Sequence, residues 1–249
     1  MRTFRAALTV ATLATALTLS TAGGAGATPG GAGATAGGDE LRYRGGLSSP
    51  AEVTDSSPRG NTGLISTGTG GSITSATENG NRFLRFPGET CLTAPCPQMV
   101  ISPRDPASPA PPDGGAGPFV FGADVRLLRE ASPEAGMNLF QHGTAVKGQS
   151  QWKTQVDYGH ASCRWSDPAN AILLPKDLHD PAFKLTVGSW YTIRCLRLPG
   201  DVFAAVLLKR GWPIPVAVAL STDVPLGAIV PAGKVLIGGK KIDPAKNDV

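Results

Sequence analysis

The sequence predicts an all-β fold, an antiparallel two-sheet β-sandwich. Three observations carry the prediction. In P-F-V-F-G-A-D-V-R-L-L-R, residues 118–129, Phe119, Phe121, Ala123, Val125 and Leu127 fall on one side of a period-two pattern. Gly122, Asp124 and Arg126 fall on the other, and Val120 and Leu128 break the alternation. In Q-W-K-T-Q-V-D-Y, residues 151–158, Trp152, Thr154, Val156 and Tyr158 share one face and Gln151, Lys153, Gln155 and Asp157 the other. Both runs have the period of a strand with one buried face, and the first is expected to be a central strand. Finally, the 249 residues include 32 glycines and 22 prolines, and past the N-terminal apolar run no helical periodicity exceeds two turns.

Met1 to Ala27 has the form of a secretory signal. Arg2 and Arg5 precede an apolar run, Ala6 to Leu19, and Ala25-Gly26-Ala27 is a small-x-small cleavage site. The run is too short and too rich in Ala and Thr for a bilayer span, which takes ~20 apolar residues. A secreted, soluble protein with no membrane span after cleavage is expected. Removing Arg2 and Arg5 lowers the formal charge from +4 to +2, too little and too scattered for nucleic acid. Residues 28–60 are rich in Gly, Ala, Pro and Ser and read as a flexible linker. Residues 61–249 are left for one sandwich domain.

Within that domain, short strands are expected in T-G-L-I-S-T (62–67), S-I-T-S (72–75) and R-F-L-R-F (82–86), with the turn Asn79-Gly80 before the last. Gln98 to Ile101 is another, followed by a proline-rich loop from Pro103 to Pro118. Past the 118–129 strand the series runs through 137–141, 151–158, 162–166, 183–187, 190–197, 202–208, 214–220 and 234–237. In 190–197, Tyr191, Ile193 and Cys195 form one row. Strands at this spacing with Gly and Pro turns argue for a sandwich.

The chain has four cysteines, at 91, 96, 163 and 195. An even number in an exported chain reads as disulfides, with three possible pairings. The preferred set is Cys91–Cys96, closing the loop L-T-A-P, with Cys163–Cys195 joining two strand-like segments. A zinc site of all four is disfavoured by C-x4-C spacing and the lack of C-x2-C.

A set of motifs in order resembles a known family. They are D-S-S…R-G-N-T-G at 55–63, R-F-L-R-F-P at 82–87 with C…C-P-Q after it, and P-F-V-F-G-A-D-V-R-L at 118–127. Further on come N-L-F-Q-H-G at 138–143, Q-W-K-T-Q-V-D at 151–157, S-C-R at 162–164, G-S-W-Y-T-I-R-C at 188–195 and I-G-G-K at 237–240. From about Asp55 to Val249 the chain resembles the laminin-G-like, concanavalin A-type jelly rolls of secreted bacterial proteins. The resemblance implies two packed antiparallel sheets, and it supports pairing of Cys163 with Cys195. Two departures stand out. Ile214 to Leu220 is apolar and Pro-punctuated where the family carries a strand, a D-G turn and a polar strand. The sequence ends at Lys246-Asn247-Asp248-Val249, where the family continues into a closing strand. Lack of that strand would leave an open sheet edge, and truncation or frameshift of the encoding gene is one hypothesis for it.

The family also implies calcium at a sheet rim, since a hard ion takes six to eight oxygens. Asp124, Asp157 and Asp248 are the aspartates in or beside matched motifs. The competing reading is a solvated face of paired charges. Trp152 and Trp190 occupy positions of family core aromatics, whereas Trp165 and Trp212 lie beside turn signals and are the expected stacking platforms for a ligand. A retaining glycosidase needs two carboxylates ~5–5.5 Å apart, and no E-x-D-x-x-E motif is present. The serine-hydrolase elbow and metal-binding histidine spacings are missing too. The expected function is a non-catalytic laminin-G/lectin-type module for an extracellular glycan or protein surface, with calcium assistance. The alternatives are a structural or truncated remnant domain without a ligand and, behind it, a concanavalin A-like glycoside hydrolase.

Overall fold

The structure is a computed structural model describing residues 41–68, 71–87, 99–107, 109, 112–130, 137–144 and 146–239. The described residues all fall within one compact unit. The first strands are β1 (Tyr43–Ser49), β2 (Glu52–Asp55), β3 (Gly63–Thr67), β4 (Thr74–Glu78), β5 (Asn81–Arg85), β6 (Met99–Pro103) and β7 (Phe119–Arg126). They are followed by β8 (Met137–Gly143), β9 (Gln151–Asp157), β10 (His160–Ser166) and β11 (Ala171–Leu174). The last are β12 (Trp190–Leu198), β13 (Val202–Lys209), β14 (Ala217–Ser221) and β15 (Val235–Ile237).

The strands form a nine-stranded sheet, β1-β2-β3-β6-β15-β8-β9-β10-β11, a four-stranded sheet, β14-β13-β12-β7, and the hairpin β4–β5. All described pairings are antiparallel. The four-stranded sheet packs over the β8–β11 end of the larger one. The core between them holds Phe121, Trp152, Val156, Trp165, Ile193, Phe203 and Leu207. Trp165 meets Phe121 at 5.8 Å and Phe203 at 5.4 Å, edge to face, the geometry aromatic quadrupoles favour. Cys163 of β10 bonds Cys195 of β12, with Cα atoms 5.6 Å apart, so the disulfide joins the two sheets. Closing 32 residues stabilises the fold by about 3–4 kcal/mol on the chain-entropy account. The expected Cys91–Cys96 bond lies outside the described residues.

A second core, Val53, Ile73, Met99 and Ile101 with Tyr43, Leu47 and Leu84 around them, fills the space between the β1–β6 end and the hairpin. The hairpin tip is latched to the four-stranded sheet. Glu78 accepts two bonds from Arg126 Nη1, at 2.9 and 2.7 Å, and one from Trp190 Nε1 at 2.8 Å. The Arg126 guanidinium lies over the Phe83 and Trp190 rings.

The structure corrects several expectations. Strand β7 is an edge rather than a central strand: its one described neighbour in the sheet is β12. The expected linker 28–60 is cut short because β1 and β2 already belong to the large sheet. Residues 183–187 form no strand. Asp180 instead caps a 3-10 turn at Pro181–Phe183, accepting from the Ala182 N–H. Trp190 is not a core aromatic, because the inward row Tyr191, Ile193, Cys195 turns it to the outward face.

Candidate functional site

The outward face of β8, β9 and β10 carries the densest polar constellation. Alternation along β9 puts Trp152, Thr154 and Val156 toward the four-stranded sheet and Gln151, Lys153, Gln155 and Asp157 away from it. In β8 a bulge between Asn138 and Phe140 shifts the phase. It lets Asn138 and Gln141, three residues apart, share the outward face, which strict alternation forbids. The registers align three cross-strand rows: Asn138–Gln155–Ser162, Gln141–Lys153–Arg164, and Gly143–Gln151–Ser166.

Part of this face is satisfied internally. Asp157 Oδ2 accepts from Ser162 Oγ and Gln155 Nε2. Asn138 Nδ2 donates to Gln141 Oε1, and Gln141 Nε2 donates to the Gly143 carbonyl at 2.7 Å. The other oxygens have no donor. Among the described residues, eight buried side-chain polar atoms lack a partner, and five lie on this face: Asn138 Oδ1, Gln151 Oε1, Gln155 Oε1, Asp157 Oδ1 and Arg164 Nε. The first four belong to side chains less than a tenth exposed, with Asp157 at 0%. A buried acceptor without a donor costs about 1–3 kcal/mol. These four acceptors and one donor have almost no accessible surface, so a ligand would reach them only by displacing what covers this face.

The sequence-predicted site residues do not assemble here. Asp157 alone belongs to this face. Asp124 is on β7, the edge of the other sheet, where it accepts from Thr192 Oγ1 at 2.8 Å and pairs with Arg194 at 3.2 Å. Asp248 lies outside the described residues. Among the described residues no three His, Cys, Asp or Glu side chains come together as a metal site. Asp124 and Asp157 thus lie on different sheets and do not share a site. Trp165 is corrected outright: it is 0% exposed in the core and offers no stacking surface. Trp212 is 58% exposed, as its turn context predicts.

Other polar groups serve the scaffold. The Asp55 carboxylate accepts from Arg42 N, Ser57 N, Ser57 Oγ and Asn61 N at 2.7–2.8 Å. Burial pushes its pKa up, but these bonds more than offset burial and hold it below the usual carboxylate range. The shallow depression beside it, about 400 Å³, is lined by Arg59, Asn61, Arg104 and Asp105. Its rim is closed by the reciprocal Asn61–Asp105 bonds and the Arg104–Glu52 pair. Buried Arg197 ties three loops together by donating to the Gly115, Leu226 and Gly227 carbonyls and to Asp201. Burial lowers the pKa of His142, whose Nε2 lies 3.2 Å from the Gly233 carbonyl.

The sequence places Gln151, Lys153, Gln155 and Asp157 on one face, with calcium at Asp157 and a solvated face of paired charges as its two readings. Sequence reasoning missed Asn138, Gln141, Ser162 and Arg164. The parity of β10 was available: an inward Cys163 makes Ser162 and Arg164 outward. The β8 bulge had no sequence signal. No protein-family model matches the chain, and a search of curated proteins finds no match. Among the described residues no helix is long and apolar enough to cross a membrane.

Proposed function

We propose that this chain is a secreted, non-catalytic binding module of laminin-G/lectin type, and that the outward face of β8–β10 takes a hydroxyl-rich ligand, an extracellular glycan or glycosylated protein surface. The observation that carries this reading is the set of four donor-less oxygens on Asn138, Gln151, Gln155 and Asp157. Sugar hydroxyls donate to such atoms, while Arg164 Nε supplies a donor for a ring or hydroxyl oxygen. Strands β8 to β11 contain one carboxylate, Asp157, where glycoside hydrolysis uses two. The disulfide fits an oxidising compartment. Because Asp124 and Asp157 lie on different sheets, calcium has no step in this reading.

The competing reading is a structural domain without a ligand, and the low exposure of the same side chains favours it. Retention of the folded, oxidised chain on a panel of insoluble and soluble polysaccharides separates the two. On the binding reading at least one polysaccharide retains the chain, retention survives chelator, and Gln151→Leu with Gln155→Leu weakens it about tenfold or more. A protein that circular dichroism reports as folded but that no polysaccharide retains sinks the binding reading.

A further inference from the structure

The four-stranded sheet ends, among the described residues, on β14, whose one ladder neighbour is β13. Natural edges are blunted by charges, prolines or bulges that discourage pairing with another chain. Here no charged residue occurs from Gly211 to Thr222, and β14 itself, A-V-A-L-S, has no proline. Its outward side chains, Val218 and Leu220, are 41% and 40% exposed, and Trp212 and Ile214 just before it are exposed as well.

The ladder decides which main-chain groups stay open. The Val216 N–H donates to the Leu207 carbonyl at 2.8 Å, so Leu207 turns its carbonyl toward β14. By antiparallel alternation its register mates, Ala217 with Leu207, Ala219 with Ala205 and Ser221 with Phe203, bond within the sheet. Val218 and Leu220 then direct their N–H and C=O groups to the open edge. These groups are self-complementary about a two-fold axis at Ala219, which sets Val218 of one copy opposite Leu220 of the other and gives all four open groups of each copy a partner. A register centred on Val218 would need the Val216 N–H, which is already engaged. One centred on Leu220 would pair Val218 with Thr222, past the end of the strand.

We propose that β14 pairs with β14 of a second copy in this Ala219-centred register, joining two four-stranded sheets into one of eight strands. The pairing brings no like charges together. It sets Val218 of each copy beside Leu220 of the other on the outward face and buries far less than the ~800 Å² per partner of a standard interface. The dimer is therefore weak and reversible.

Sedimentation of the full oxidised chain across the micromolar range tests this. The expected result is a reversible monomer–dimer equilibrium that Val218→Lys abolishes while the circular dichroism spectrum stays unchanged. Cysteine variants read the register. Under mild oxidation, Val218→Cys mixed with Leu220→Cys should cross-link between chains several-fold more than either variant alone. A chain that stays monomeric at every concentration overturns the proposal, even if it captures another protein's strand. A dimer that survives Val218→Lys, or cross-linking equal in all three samples, overturns it too.

Discussion

On the nine-stranded sheet the outward face of β9 carries Gln151, Lys153, Gln155 and Asp157; on the four-stranded sheet the outward face of β14 carries Val218 and Leu220. Both strands turn their alternate residues into the same core. What each leaves unsatisfied differs. The large sheet leaves side-chain oxygens without donors, which the proposed hydroxyl-rich ligand would satisfy. The small sheet leaves main-chain groups and apolar side chains at an edge, a need met by another strand. On the proposed reading, the two sheets of one sandwich would serve two different recognition chemistries.

The largest expected effect comes from breaking what the faces share. Trp165→Ala removes a fully buried ring between β10 and the Phe121–Phe203 pair, and such truncations cost about 3–5 kcal/mol. Denaturant unfolding should report that loss, with polysaccharide retention and self-association failing together. Trp212→Ala, at an exposed turn, should stay within about 0.5 kcal/mol. Equal effects of the two would refute the assignment of Trp165 to the core.

A smaller change sharpens the contrast by moving stability and binding in opposite directions. Gln151 is 1% exposed, its Oε1 has no donor, and its Nε2 makes one long bond, 3.4 Å, to the Gly143 carbonyl. Gln151→Leu keeps the volume and removes the orphaned acceptor, so stability should rise by about 1 kcal/mol while polysaccharide retention falls. A stability loss of that size would mean the oxygen is satisfied after all.

Legibility in the sequence followed alternation. Strands β7, β9 and β12 are legible because apolar and polar positions swap at period two, whereas β13, V-F-A-A-V-L-L, is legible as a continuous apolar run bounded by turns. β1 and β2 were not, because Y-R-G-G-L-S-S has no apolar row. Its Gly45 is there for another reason: at φ +80, a Cβ would come within 2.4 Å of the Phe83 backbone on β5. β11, A-I-L-L, is four residues without alternation. Trp165 was misread from the turn that follows it, although parity with Cys163 already pointed it inward: a cysteine that bridges the sheets must face the core, and two residues on is the same face. The same parity in W-Y-T-I-R-C puts Trp190 outside. For the polar face, half the residues were visible on β9. Asn138 and Gln141 were not, since a bulge moves side chains between faces without leaving a mark in composition.

The smallest effect concerns how the hairpin β4–β5 is held to the four-stranded sheet. Glu78 accepts from Trp190 Nε1 and Arg126 Nη1, and these bonds, with the Arg126 and Arg210 charges, lower its pKa below the ordinary glutamate value. A group with a depressed folded-state pKa contributes stability above its unfolded pKa of about 4.3, and loses it as pH falls through the folded value. The contribution is therefore complete at neutral pH and absent in strong acid. Glu78→Gln keeps the shape and removes the charge. The difference in urea midpoint between wild type and Glu78→Gln should be greatest near pH 7, shrink below about pH 4 and vanish in strong acid. A difference that stays constant with pH would assign the latch to the Phe83–Trp190 edge contact at 5.1 Å rather than to the carboxylate. In the same titration the Gln151→Leu increment should not move, since that substitution replaces no titrating group, and this independence separates the electrostatic latch on one sheet from the neutral Gln151 acceptor on the other.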